Sequence, residues 1–136
     1  MGNYGHFEHD ADIGIVGSGK TVEEAFESAA KALFSIQSTL SEIRPVQKID
    51  IDFSEDDVEY AFVTWLNRLI YEAQSRKIAF SEFRMEREDG KWHGEAAGEH
   101  WNDHMTRGVE VKGATLTGLS VKKNGNEWEA RCIVDV

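Results

Sequence analysis

One cysteine, Cys132, and one proline, Pro45, are all that 136 residues contain of either type. A lone thiol closes no internal disulfide, so this is not a disulfide scaffold and the fold must rest on its core. No apolar run approaches the roughly 20 residues that span a bilayer, and no signal-peptide pattern opens the chain. These absences lead us to expect a cytoplasmic protein with no membrane partner. Basic residues are scarce as well. Fifteen Lys and Arg stand against 25 Asp and Glu, for a net charge of −10. Gripping nucleic acid by its phosphates needs a basic face, so strong direct nucleic-acid binding is disfavoured. Cations and basic protein partners suit this charge better.

The apolar content, 40%, is that of a folded chain, and residues 1–136 read as one domain with no repeat or linker. Ile13 and Ile15 alternate before Gly17 and Gly19, which predicts a strand ending in a turn. Thr21 can cap a helix, with Glu24 completing a capping box. Val22, Ala25, Phe26, Ala29, Ala30, Leu33 and Phe34 then recur at helical spacing, to about Ser38. Ile49, Ile51 and Phe53 alternate with Lys48, Asp50 and Asp52 in a half-buried strand. Ser54 is the expected cap of a second helix carrying Val58, Ala61, Phe62, Trp65, Leu66, Leu69 and Ile70, ending near Ser75. Beyond it the period changes to two. A hairpin is expected around Asp89 and Gly90, and further strands over "GVEVKGAT" and "LTGLSVKK". A turn follows at Asn124 to Asn126, then a closing strand, while His100 to Arg107 reads as a loop. The fold class is α+β: two amphipathic helices packed on a mostly antiparallel sheet, in two layers.

Chemistry concentrates at the two ends of the chain. "EHDADIGIVGSG", Glu8 to Gly19, places His9, Asp10 and Asp12 beside an apolar strand. On one regular strand Asp10 and Asp12 share a face, with Ile13 and Ile15 turned the other way. Such a pair can hold a divalent cation or be ordinary solvated charge, and spacing leaves both open. In the closing strand Arg131, Ile133 and Asp135 alternate with Cys132, Val134 and Val136. If that strand lies beside the first one, Asp12 and Asp135 meet near main-chain oxygens, the donors that Ca2+ or Mg2+ requires. The five histidines have no zinc spacing. Gly14, Gly19, Lys20 and Thr21 match the phosphate-loop pattern. The strand falls inside the motif and too few βαβ units follow, so we read the match as chance. Lys112 is either solvent trim or a cation offered to a partner.

Several segments, in order, resemble the archease family. "EHDADIG" is similar to its N-terminal E-H-T-A-D-I-G signature, with Asp10 in place of threonine. "GKTVEEAFESAAKALF" and "WLNRLIYEA" resemble its two helices, "FSEFRM" the strand that follows, "EVKGAT" its E-V-K segment and "IVDV" its terminus. The similarity runs over essentially the whole chain. It implies a small cytoplasmic accessory protein of tRNA splicing and RNA repair. Such a protein activates the GTP-dependent RNA-splicing ligase, promoting guanylylation and turnover, without catalysis of its own. It also implies a divalent-cation site, most often Ca2+ with Mg2+ or Mn2+ as alternatives. The site it implies is built from Asp12, Asp135 and oxygens of Val136. Asp10, a departure from the family's threonine, adds a carboxylate that either strengthens cation binding or faces solvent, and His9 is the other candidate supporting residue. Lys112 carries the role of the family's functional lysine. The alternatives are a metal-dependent hydrolase on the same carboxylates, with His9 as its base, and a chaperone-like partner of a tRNA methyltransferase.

Overall fold

A computed structural model describes residues 2–9 and 12–136. The first strand is one that alternation did not announce. β1 (Asn3–His9) pairs antiparallel with β2 (Asp12–Gly19), His9 opposite Asp12. Asp10, expected to share a strand face with Asp12, lies outside the described residues. β1 is rich in polar and aromatic residues, and its fold signal is tertiary. His6 Nε2 lies 2.8 Å from the Ala32 carbonyl oxygen of the next helix.

That helix, α1 (Val22–Gln37), starts as its sequence dictates. Thr21 Oγ1 accepts from the Glu24 N–H at 3.1 Å, and Glu24 reaches back to the Lys20 N–H at 3.2 Å. Ala25, Ala29, Ala30 and Ala32 are fully buried, because α1 has a sheet on either side. On one side β2 comes so close that a Cβ on Gly17 would stand 2.2 Å from the Ala29 nitrogen. On the other, Phe34 meets Phe80 and Phe83 with ring centroids 5.7 and 5.3 Å apart.

β3 (Gln47–Ser54) contains Ser54, the residue expected to cap the second helix. The cap is instead Asp57, whose Oδ1 accepts from Glu59 and Tyr60 N–H at 2.9 and 3.0 Å. α2 (Val58–Arg76) ends at Lys77 in the left-handed region, φ 56°. Its Trp65 is fully buried, donates Nε1–H to the Phe26 oxygen at 3.1 Å, and so ties the two helices.

The remaining strands are β4 (Ile78–Glu88), β5 (Lys91–His100), β6 (Gly113–Ala114), β7 (Ser120–Asn124) and β8 (Glu127–Asp135). They divide between two sheets whose described pairings are all antiparallel. One runs β1-β2-β8-β6, with β7 also on β8; the other runs β3-β5-β4. The turn at Asp89 and Gly90 has φ 47° and 76°, the left-handed pair that an Asp-Gly hairpin requires. β4 is an edge strand, and the half-buried Glu27 of α1 covers it, accepting the Met85 N–H at 2.8 Å. Burial raises the Glu27 carboxyl above its ordinary pKa, partly offset by that hydrogen bond. One hydrophobic cluster joins both helices and both sheets. Among the described residues no helix is long and apolar enough to cross a membrane.

The strand expected over "GVEVKGAT" shrinks to two residues. Gly108 and Val109 N–H donate to the Gln37 and Ile36 oxygens at 2.8 and 3.0 Å, and Val111 N–H to Gln37 Oε1 at 2.9 Å. These donors are taken by the end of α1, so no ladder forms there. Lys112 therefore precedes a strand rather than lying in one.

Candidate functional site

The two ends of the chain meet in the five-stranded sheet. β2 pairs with β8 so that Ile15 faces Cys132 and Ile13 faces Val134. One step further, β2 begins at Asp12 and β8 ends at Asp135. Val134 is fully buried and Ile13 packs on the core, so strand alternation turns Asp12 and Asp135 to the opposite face. β1 adds His9 opposite Asp12, and β6 adds Gly113 opposite Asp135. His9, Asp12, Asp135 and Gly113 thus stand in one row across the end of the sheet. Of His9 only this backbone pairing is described.

Lys112 joins the row through its main chain. Its N–H donates to the Asp135 oxygen at 2.8 Å, and its side chain is exposed. Val136 follows Asp135 and packs its side chain against the core. Arg131, four residues before Asp135 on the same face of β8, stacks over the Phe7 ring at 4.5 Å. The residues aligned at this end offer carboxylate and main-chain oxygens, the donor chemistry of a hard cation and not of a thiolate-seeking one.

Cross-strand register also builds a cluster that spacing could not reveal. Asp50 faces Glu95 and Asp52 faces His93. His93 Nδ1 is hydrogen-bonded to Asp52 Oδ1, while Nε2 lies 3.7 Å from Asp50 Oδ1 and 3.8 Å from Glu95 Oε2. The Asp52 hydrogen bond, followed by the charges of Asp52, Asp50 and Glu95, holds the imidazole above its ordinary pKa. One ligand atom each from Asp50, His93 and Glu95 falls within 4.8 Å of the others. When protonated, the imidazole is an ion-pair partner for these carboxylates.

The phosphate-loop match resolves as expected. Gly14 to Gly19 are extended strand, with Gly14 under the Phe7 ring and Gly17 against the α1 backbone. The Thr21 hydroxyl is occupied in capping.

The family model described as "Archease protein family (MTH1598/TM1083)" matches residues 4–136. The chain belongs to the archease family. The archease protein of Pyrococcus furiosus is 33% identical over 142 residues, covering 100% of both chains. That of Methanosarcina barkeri is 32% identical over 139 residues, covering 98% of this chain and 95% of the relative. Two solved structures share the fold. The solution structure of Methanobacterium thermoautotrophicum protein 1598 superposes with a TM-score of 0.81 at 24% identity, over 98% of this chain and 99% of its own. The crystal structure of a Thermotoga maritima archease, described there as a possible chaperone, gives 0.67 at 23% identity, over 96% and 94%. Archease membership thus rests on sequence along nearly the whole chain and on an α+β architecture of two helices packed against antiparallel sheets.

Proposed function

We propose that this archease activates a GTP-dependent RNA-splicing ligase in the cytoplasm, as a non-catalytic partner that promotes guanylylation and turnover. The observation that carries the reading is the row at the end of the five-stranded sheet. Asp12 and Asp135 occur there at one level, and the Lys112 N–H is bound to Asp135. Asp12, Asp135 and main-chain oxygens of Val136 would hold a divalent cation, Ca2+ before Mg2+ or Mn2+. A cation held by these residues would supply positive charge for an anionic oxygen of a partner. Lys112 offers an ammonium to an anionic oxygen of the ligase or its guanylate.

The test is ligase guanylylation with GTP and a divalent metal, with and without the purified protein. Stimulation by wild type, and its loss in Asp12→Asn and Asp135→Asn proteins that still fold, is expected. No stimulation by the wild-type protein would sink the reading. That the Thermotoga maritima archease is described as a possible chaperone favours a second reading, a chaperone-like protein, for which we propose a tRNA methyltransferase as the partner. Stabilisation of that enzyme without any effect on the ligase would select it.

A further inference from the structure

The segment that carries Lys112 is held from two helices. At its start the main chain is tied to the end of α1, where Gln37 Oε1 accepts the Val111 N–H at 2.9 Å. At its end Asn67, in the middle of α2, makes two bonds to one residue. Its Oδ1 accepts the Ala114 N–H at 2.9 Å, and its Nδ2 donates to the Ala114 oxygen at 3.2 Å. Lys112 stands between these two grips, and its own N–H goes to Asp135.

The chemistry of the Asn67 contact is specific. Among the described residues, β6 pairs with β8 along one edge and with no strand along the other. On its other edge, the N–H and C=O of Ala114 need one acceptor and one donor. A primary amide offers both at the spacing of a peptide group. Asn67 therefore stands where a further strand would be. Its role in docking α2 is small, because Phe62, Trp65, Leu66 and Leu69 bury the opposite stripe while Asn67 is exposed. Asparagine is also a poorer helix former than alanine, so helix stability does not favour it there.

We propose that Asn67 is a positioning residue. Through Ala114 it fixes the main chain of Lys112 and Asp135, and so sets how well this end of the sheet binds a divalent cation and activates the ligase. The proposal rests on the functional reading above. Gln37 acts in the same sense from the other side of Lys112.

The experiment compares wild type with Asn67→Ala, Asn67→Gln, Gln37→Ala and Lys112→Ala. It reads amide hydrogen exchange, Ca2+ affinity by calorimetry and ligase guanylylation. In Asn67→Ala the Lys112 and Ala114 amides should exchange on the order of tenfold faster, while core amides such as Ile15 and Leu66 keep their protection. Ca2+ affinity and guanylylation should each fall about fivefold at an unchanged melting temperature, with Gln37→Ala moving the same way. Asn67→Gln, which keeps the amide, should restore most of the loss. Wild-type affinity and guanylylation in Asn67→Ala, with Lys112→Ala impaired, would overturn the positioning role and leave the ligase reading standing. Full guanylylation with Lys112→Ala would instead remove the ligase role of this segment, and the proposal with it.

Discussion

Lys112 donates its main-chain N–H to the carbonyl oxygen of Asp135 at 2.8 Å. Side chain and main chain of this lysine therefore have separable roles. Lys112→Ala keeps the bond, and as an exposed substitution should cost within about 0.5 kcal/mol of stability while lowering ligase activation. Lys112→Pro has no N–H to give. It should release Asp135 and lower Ca2+ affinity as well, which calorimetry on the two variants will separate. Equal Ca2+ affinities would show that the main-chain bond does not order Asp135.

Gly17 sits against α1 with no room for a methyl group. A Cβ would stand 2.2 Å from the Ala29 nitrogen and 2.5 Å from the Ala25 oxygen, and these are backbone atoms that cannot swing away. Gly17→Ala should destabilise by about 3 kcal/mol or more, lowering the melting temperature by roughly ten degrees. Gly125→Ala is the control. Gly125 has open space around it and only its φ of 67° to lose, so about 1 kcal/mol is expected. Similar thermal shifts in the two variants would contradict the close approach of β2 to α1.

His93 predicts a pH dependence. The Asp52 hydrogen bond raises its folded-state pKa above 6.5. Stability from such a group is fully present below the unfolded value and disappears as pH rises through the folded one. From about pH 6.5 upward, wild type should therefore lose stability relative to His93→Gln. The effect should be small and weaken with salt, since the imidazole side chain is 44% exposed. Urea titrations on both sides of that window will check it. Parallel pH profiles for the two proteins would rule out the coupling.

Cys132 is fully buried in β8, and burial pushes its thiol up to about 12. Nucleophilic thiol chemistry needs the thiolate. The folded protein should resist a disulfide reagent at about pH 8, and reaction should follow the unfolding rate when denaturant is added. Rapid stoichiometric labelling of native protein would contradict the burial.

Legibility in the sequence followed the range of the interactions involved. Thr21 with Glu24, and Asp89 with Gly90, act over a few residues and were readable as a cap and a turn. The apolar stripes of both helices were readable for the same reason. Asp57 displaced Ser54 as the second cap because β3 continues through Ser54, a pairing with Lys91 that lies far along the chain. The division into two sheets, the His93 cluster and the two amides that grip the Lys112 segment all depend on register between distant strands and helices. The alternation of Asp50 with Asp52, and of His93 with Glu95, was visible. That the two pairs face each other was not. Spacing raised Asp12, Asp135 and Lys112 with alternatives left open, resemblance attached roles to them, and the sheet supplies the physical reason for treating them as one group.

Glu27 has a meaning beyond its own hydrogen bond. An unpaired edge strand is a template on which a second molecule can add a strand. By taking the Met85 N–H, Glu27 removes a donor from that template. The half-buried carboxylate costs the folded state some hydration, and the donor it occupies is one fewer for edge-to-edge pairing. Glutamine at the same position would keep the acceptor without the charge, whereas alanine would leave the edge open to self-association.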